Sequence, residues 1–487
     1  VDAECREILG SLVGDPRTID IEPRFQKIIS GIAMAFGQIA QLKGKRATHS
    51  IGTLAAGTLE ILPNLTIPPH RVFTSGKKYP VLLRHANIKG FPDDAIIDGR
   101  GATVRILKEG TGGTDTLNLD DFLVDILMST GRCFFMNNAA SFSRWVAGSL
   151  EERGKLLKEF PKIVPIFHEI IRNPDSYTKL HYYSETTYLF KSAEDRPKEY
   201  YMRYRLRNAD RSEDTGFIPR EDVRLPLDFL PRQTNDFRPP NYLQRDFRER
   251  VTKGGVNYLL QIQLREVSDS TEANELAKDC TVPWEENQYP FHDVASLSLT
   301  SIVPDERAEV LEFNAYHAPE DLSLILAHSI TETASINHLR SIVYQISANM
   351  RKYRSPSAEL VDWGVDRQPP LTALYKYFGT AGQDIPRFDP SLPLPPRVAP
   401  KPRLVANIGL STIPAKPAEP LKLLGISGVA EIIGQLQTSQ VMPANLTRCR
   451  PDKYSDEFFV ERRLNGFNPG KLKLAREQPW QYFIRYD

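Results

Sequence analysis

Apolar and polar residues alternate with period two in several stretches of the chain. Leu260, Ile262 and Leu264 are separated by Gln261, Gln263 and Arg265, and Ala295, Leu297 and Leu299 by Ser296, Ser298 and Thr300. Met202, Tyr204 and Leu206 are separated by Arg203, Arg205 and Arg207. Successive side chains of a strand point to opposite faces, so this alternation predicts strands with one buried face, as in an antiparallel sheet or barrel. A different period runs through Ile336, Leu339, Val343, Ile346 and Met350, an apolar stripe at helical spacing. The 145–172 region, rich in Leu, Glu and Lys, is a second helical segment. Strands forming a core with helices packed around it define an α+β unit.

Proline sets the clearest boundary. Ten prolines fall between Pro386 and Pro420, a density that prevents both helix and central strand. Residues 1–375 are therefore expected to form one folded unit and 376–450 a proline-rich linker or strap. The remaining 451–487 are too short for an independent core. No internal repeat is present.

The 487 residues carry 62 Lys and Arg against 61 Asp and Glu, a net charge of +1. No global field favours nucleic acid or an anionic bilayer, and every apolar run is too short and too often interrupted by charge to span a membrane. The four cysteines, Cys5, Cys133, Cys280 and Cys449, lie far apart with no CxxC pair. That spacing predicts reduced thiols in a cytoplasmic setting, not a disulfide frame or a zinc site. His70, His168, His292, His317, His328 and His338 share no metal-ligand spacing. GxGxxG, Walker A and GxSxG patterns are absent.

Two patterns carry chemistry. One is Arg46-Ala47-Thr48-His49-Ser50-Ile51-Gly52. The other is Arg340-Ser341-Ile342-Val343-Tyr344 on the amphipathic helix, where a spacing of four puts Arg340 and Tyr344 on one face. A guanidinium beside a phenol favours the phenolate, which is a strong anionic ligand for ferric haem. Taken alone, such an Arg–Tyr pair is more often structural.

Together and in this order, the two patterns resemble the haem-binding catalase superfamily, specifically its catalase-related allene oxide synthases of coral type. The likeness covers most of residues 40–355 and extends to Leu83-Arg84-His85-Ala86-Asn87, Pro92-Asp93-Asp94-Ala95, His181-Tyr182-Tyr183-Ser184, Val256 to Gln263 and Trp284. The resemblance implies a catalase-like antiparallel β-barrel core with surrounding helices, a proline-rich C-terminal extension, and one ferric haem b. It implies Tyr344 as the axial iron ligand with Arg340 as its charge partner, and His49 over the opposite haem face. Arg46 and Arg100 match positions that face the haem propionates, where bidentate Arg–carboxylate pairing suits the chemistry. Phe142 matches a ring packed on the porphyrin. Thr48 matches the allene oxide synthase branch, where catalases usually have an aliphatic residue; its hydroxyl can hydrogen-bond the imidazole or satisfy a backbone carbonyl. The family's distal Asn is missing from the run Ser129 to Asn138; Cys133 fits its position best and Phe134 next.

Residues 456–471, DEFFVERRLNGFNPGK, resemble a stretch of lipoxygenases that reads roughly DExFxxQxLNGxNP. The helical iron-ligand histidines of lipoxygenases are absent, so no dioxygenase activity is expected. The tail points instead to a relation with fusions that join a maker of fatty acid hydroperoxides to its consumer. The leading expectation is a haem enzyme converting polyunsaturated fatty acid hydroperoxides, as an allene oxide synthase (dehydratase) or a hydroperoxide lyase. The alternatives are a small catalase or haem peroxidase acting on hydrogen peroxide, and a non-catalytic haem- or lipid-binding partner of a lipoxygenase. No nucleic-acid partner is expected, association with a lipoxygenase or a membrane surface stays open, and oligomeric state is not legible.

Overall fold

The computed structural model of the chain describes most of residues 45–352, apart from 109–120, 149, 224 and 226–228, together with part of 15–44. The expected strap over 376–450 and the segment 451–487 lie outside the described residues.

Eight strands close on themselves. They are β1 (Gly52–Ile61), β2 (Lys78–Asn87), β3 (Asp98–Leu107), β4 (Phe122–Ser129), β6 (Tyr182–Tyr183), β8 (Glu199–Asn208), β9 (Val256–Glu266) and β10 (His292–Ile302). The order β2-β1-β10-β9-β8-β6-β4-β3 returns to β2 through the β2–β3 pairing, and every pairing in the ring is antiparallel. Two short strands attach outside it, β5 (Ile171–Arg172) on β3 and β7 (Tyr188–Lys191) on β8. Closure leaves the ring without a free edge and gives every strand an inner face. That face holds one continuous apolar core, with Leu59, Val81, Val104, Ile126, Tyr182, Tyr204, Leu260 and Leu297 drawn from all eight strands.

The three alternating stretches become β8, β9 and β10, neighbours in the barrel. Their polar face differs from expectation in one respect: on β8 and β9 it is buried too. Arg203, Arg205, Gln261 and Gln263 are covered by residues 277–293, and the burial is tolerable because each finds partners. Arg205 Nε donates to Gln261 Oε1 at 2.6 Å, and Gln261 Nε2 donates to Asp293 Oδ1 at 2.6 Å. Gln263 Nε2 donates to the Tyr289 carbonyl at 2.6 Å, and Arg203 Nη1 to that of Val282 at 2.7 Å.

Helices coat the barrel. The 145–172 segment is not one helix but parts of three: α1 (Ala139–Ala147), α2 (Leu150–Glu159) and α3 (Ile163–Ile170). Gly148 and Pro161 sit at the breaks, a weak helix former and a residue that cannot donate to the preceding turn. Asn138 caps α1, its side chain accepting from the Ser141 amide. Further on come α4 (Tyr242–Gly254), α5 (Thr271–Lys278) and α6 (Asp305–Val310). The last described helix, α7 (Ser335–Lys352), buries all five residues of the predicted stripe.

Candidate active site

The cavity lies outside the barrel, where alternation along the strands sets its floor. Leu83, Val104 and Ile126 are cross-strand partners that point inward. Their neighbours point the other way, so the rows Arg84–Thr103–Leu127 and Ala86–Gly101–Ser129 line a cavity of about 350 Å³. Aromatic residues around α1 and α3, including Phe134, Phe135, Phe142 and Trp145, form a wall. α7 lies across it and presents Arg340, Tyr344, Ser347 and Arg351, spaced four, three and four on one face. The segment before β1 contributes Arg46, Thr48 and His49. Six of the expected site residues, Arg46, Thr48, His49, Phe142, Arg340 and Tyr344, thus meet in one cavity.

Arg340 Nε donates to the Tyr344 phenol oxygen at 3.2 Å, and Arg340 Nη1 reaches Thr186 Oγ1 at 3.4 Å and Asn337 Oδ1 at 3.3 Å. Burial works against the guanidinium charge, but Tyr344, Tyr188 and Glu185 outweigh it and raise its pKa. Arg340 is a fixed cation beside the phenol.

His49 has φ of 55°, a left-handed conformation that costs an L-residue free energy. Its amide donates to the Ile88 carbonyl at 2.8 Å. The ring lies close enough to β3 that a Cβ on Gly101 would stand 2.8 Å from Nδ1 and 2.9 Å from Cε1. Burial, then the charges of Arg84, Arg340 and Arg46, push the His49 pKa down to about 3, so the imidazole is neutral at physiological pH. Gly101→Ala is expected to displace the ring and cut turnover at least about tenfold while far-UV circular dichroism stays unchanged; full activity would show that the close approach is dispensable. Among the described residues the Thr48 hydroxyl makes no hydrogen bond, to His49 or to a backbone carbonyl. It faces the cavity instead.

Two expected residues lie elsewhere. Arg100 is next to Gly99 and Gly101 on β3, and alternation sends its side chain to the opposite side from theirs. There Arg100 Nη2 donates to the carbonyls of Asp94 at 2.9 Å and Ile96 at 2.8 Å. The cavity cations that cluster around Glu309 are Arg46, Arg84 and Arg351. Arg46 Nη2 donates to the Ala308 and Leu311 carbonyls, Arg351 Nη2 to that of Leu311, and Arg84 Nη2 stands 3.9 Å from Glu309. Arg84 Nη2 is buried without a hydrogen-bond partner. Burial first, then Arg84 and Arg351, hold the Arg46 pKa well below its ordinary value, against the opposing pull of Glu309. Cys133 packs in the cluster of Met136, Trp145 and Phe167, outside the cavity lining. Burial pushes its thiol up to about 12, so it is neither thiolate nor lining residue. Phe134 holds the lining position, with Arg340 5.9 Å from its ring.

The sequence offered signals for two of the missed residues: Arg84 belongs to the Leu83–Asn87 stretch, and Arg351 follows Tyr344 by seven on the same helix face. Glu185 had none. It lines the cavity, is buried, and has φ of 59°. Burial pushes its carboxyl up to about 8, with a Ser129 hydrogen bond and Arg340 pulling the other way. Between its ordinary value of 4.5 and about 8, the folded state holds a proton that the unfolded state has lost. Stability therefore falls as pH rises through that window. Glu185→Gln is expected to melt above the wild type at pH 8 to 9 and alongside it at pH 4; equal melting curves at both would remove the buried carboxyl from the account.

No protein-family model matches the chain. Over 474 residues it is 28% identical to a linolenate 9R-lipoxygenase of a Nostoc species, covering 96% of this chain and 56% of that protein. Over 323 residues it is 31% identical to the allene oxide synthase-lipoxygenase protein of Plexaura homomalla, covering 64% of this chain and 29% of that protein. Catalase A of Saccharomyces cerevisiae superposes with a TM-score of 0.46 at 16% identity, over 90% of this chain and 89% of that one. The chain is thus similar in sequence to a lipoxygenase and to an allene oxide synthase-lipoxygenase protein. It stands close to the coral type of allene oxide synthase and is homologous to proteins that carry a lipoxygenase. It spans about half the length of the first of these relatives and under a third of the second.

Proposed function

We propose that the chain is a ferric haem b enzyme that converts polyunsaturated fatty acid hydroperoxides, by dehydration to an allene oxide or by lyase cleavage. The observation that carries this reading is the meeting of the Arg340–Tyr344 pair, a neutral His49 and three clustered arginines in one aromatic-walled cavity.

The cavity residues fit haem. Arg46, Arg84 and Arg351 crowd three cations around Glu309, and the buried Arg84 Nη2 lacks a partner. A pair of propionate carboxylates relieves both the repulsion and the missing hydrogen bond. Tyr344 would hold the iron and Phe142 would pack on the ring. Bound there, haem supplies the iron centre at which the hydroperoxide O–O bond breaks.

The chain's own part is positioning and proton handling. Nδ1 of His49 lies against β3, leaving Nε2 to take the hydroperoxide proton. Burial and then the surrounding arginines make the imidazolium unfavourable, so His49 passes the proton on instead of storing it. The aromatic wall excludes water and accepts a hydrocarbon chain. The missing distal amide leaves Phe134 in that wall, which suits an organic hydroperoxide better than hydrogen peroxide. Homology to lipoxygenase-bearing proteins supports a lipoxygenase as the source of the hydroperoxide. A cytoplasmic location belongs to the same reading; among the described residues no helix is long and apolar enough to cross a membrane.

Purified protein is expected to show a ferric haem spectrum and to bleach the conjugated diene absorbance of a fatty acid hydroperoxide. Oxygen evolution from hydrogen peroxide with the diene intact would favour a catalase; neither activity would leave a binding protein.

A further inference from the structure

The haem reading leaves one guanidinium of the cavity lining without a role. Arg153 on α2 is half-buried in the lining, beside the aromatic wall. Its Nε donates to the Trp145 carbonyl at 2.8 Å, and its guanidinium carbon lies 5.2 Å from the Trp145 ring centre. Trp145 is in turn fixed between Phe135, at 5.5 Å, and Phe167, at 5.3 Å. Among the described residues Arg153 has no carboxylate or phenol partner. The haem reading already uses the other guanidiniums of the lining: Arg46, Arg84 and Arg351 cluster around Glu309, and Arg340 donates to Tyr344. A guanidinium oriented by one nitrogen and an aromatic face, with both terminal nitrogens free, is prepared for a planar anion. An apolar wall of the lining adjoins it, through Phe135, Phe142, Trp145, Val146 and Phe167.

We infer that Arg153 binds the free carboxylate of a long-chain fatty acyl substrate, whose hydrocarbon chain lies along this aromatic wall. The inference rests on the proposed fatty acid hydroperoxide reading and adds the polarity of binding: acid end at α2, peroxide end toward His49. Arg153 is a specificity residue, not a catalytic one, because the reacting oxygens sit on an internal carbon of the chain, well removed from the carboxylate. A free acid is then preferred to its ester, since the ester cannot accept two charge-assisted hydrogen bonds.

The test uses the haem-loaded full chain and molecules that carry no peroxide. Linoleic acid and methyl linoleate are titrated below their micellar concentrations by calorimetry, into wild type, Arg153→Gln and Arg153→Lys. The wild type should favour the acid over the ester by on the order of tenfold. Arg153→Gln should lose that preference with ester binding unchanged, and Arg153→Lys should keep part of it. A wild type that binds acid and ester equally, or an Arg153→Gln variant that keeps the full preference, overturns the inference. Because no turnover is read, a wild type that prefers the acid yet leaves fatty acid hydroperoxide intact would refute the proposed reaction and support the carboxylate site.

Discussion

Tyr344→Phe is expected to abolish stable ferric haem binding while leaving the barrel folded. The phenol is half-buried, lines the cavity and packs against the barrel core, and its only polar contact among those described is the 3.2 Å hydrogen bond from Arg340. Loss of the hydroxyl costs the fold little, because the ring still packs and Arg340 keeps Thr186 and Asn337. In the proposed role it removes the oxygen that would hold the iron. Substitutions of residues that merely support a metal ligand typically reduce affinity 10- to 100-fold, so removal of the ligand itself should reduce haem retention by at least about 100-fold. Haem stoichiometry and the ferric absorbance spectrum after gel filtration measure this. A wild-type spectrum at full occupancy in Tyr344→Phe would eliminate the ligand assignment. Arg340→Lys is a graded companion: haem stays, but the spectrum shifts as the fork that fixes the phenol is replaced by a single rotatable charge.

His49→Gly should separate activity from stability. Removing a positioned proton carrier costs a factor of about 10² to 10⁴ in turnover. The same change releases a left-handed backbone worth about 1–2 kcal/mol for an L-residue, against a glycine entropy cost of about 0.5–1 kcal/mol. Near pH 7 the variant should therefore melt close to the wild type or slightly above it. At lower pH the gap should widen in its favour. The unfolded imidazole takes a proton near its ordinary 6.5 and the folded one only near 3, so the wild type loses stability as pH falls through that window. Melting temperatures at pH 7 and pH 4.5, with steady-state turnover at pH 7, check both halves. A variant that melts below the wild type at pH 4.5 would show that the buried neutral His49 is not strained.

The two pH effects run in opposite directions because the groups carry opposite charges. Burial in the same cavity raises an acid, Glu185, and lowers a base, His49. Both sit at positive φ. Left-handed backbone at two non-glycine residues, both lining one cavity, marks a place where the fold holds side chains against local preference.

The amino-acid sequence by itself determined the elements whose signal is periodic. The alternation through Met202–Leu206, Leu260–Leu264 and Ala295–Leu299 specifies three strands, because period two can bury one side only in extended chain. The stripe from Ile336 to Met350 specifies α7 and, with it, the common face of Arg340 and Tyr344. The ordered motifs around His49 and Tyr344 carry the resemblance to the catalase-related family. Tertiary structure decided what periodicity does not encode. It closed the eight strands into a ring, and it laid residues 277–293 over the polar sides of Arg203, Arg205, Gln261 and Gln263 so that these are covered as well. It broke the 145–172 segment at Gly148 and Pro161, where the apolar residues of each short helix face the cavity wall. It chose Arg84 and Arg351 over Arg100, since strand parity turns one residue in two away from the cavity, and parity relative to a distant helix has no local signature. It placed Cys133 in an apolar cluster and Phe134 in the lining by the same logic of neighbouring residues facing apart. Glu185 and Arg153 were illegible for a deeper reason. A charged residue in sequence is by default a solvated one, and only the meeting of strands, α2 and α7 in space turns these two into a buried acid and an unpaired guanidinium.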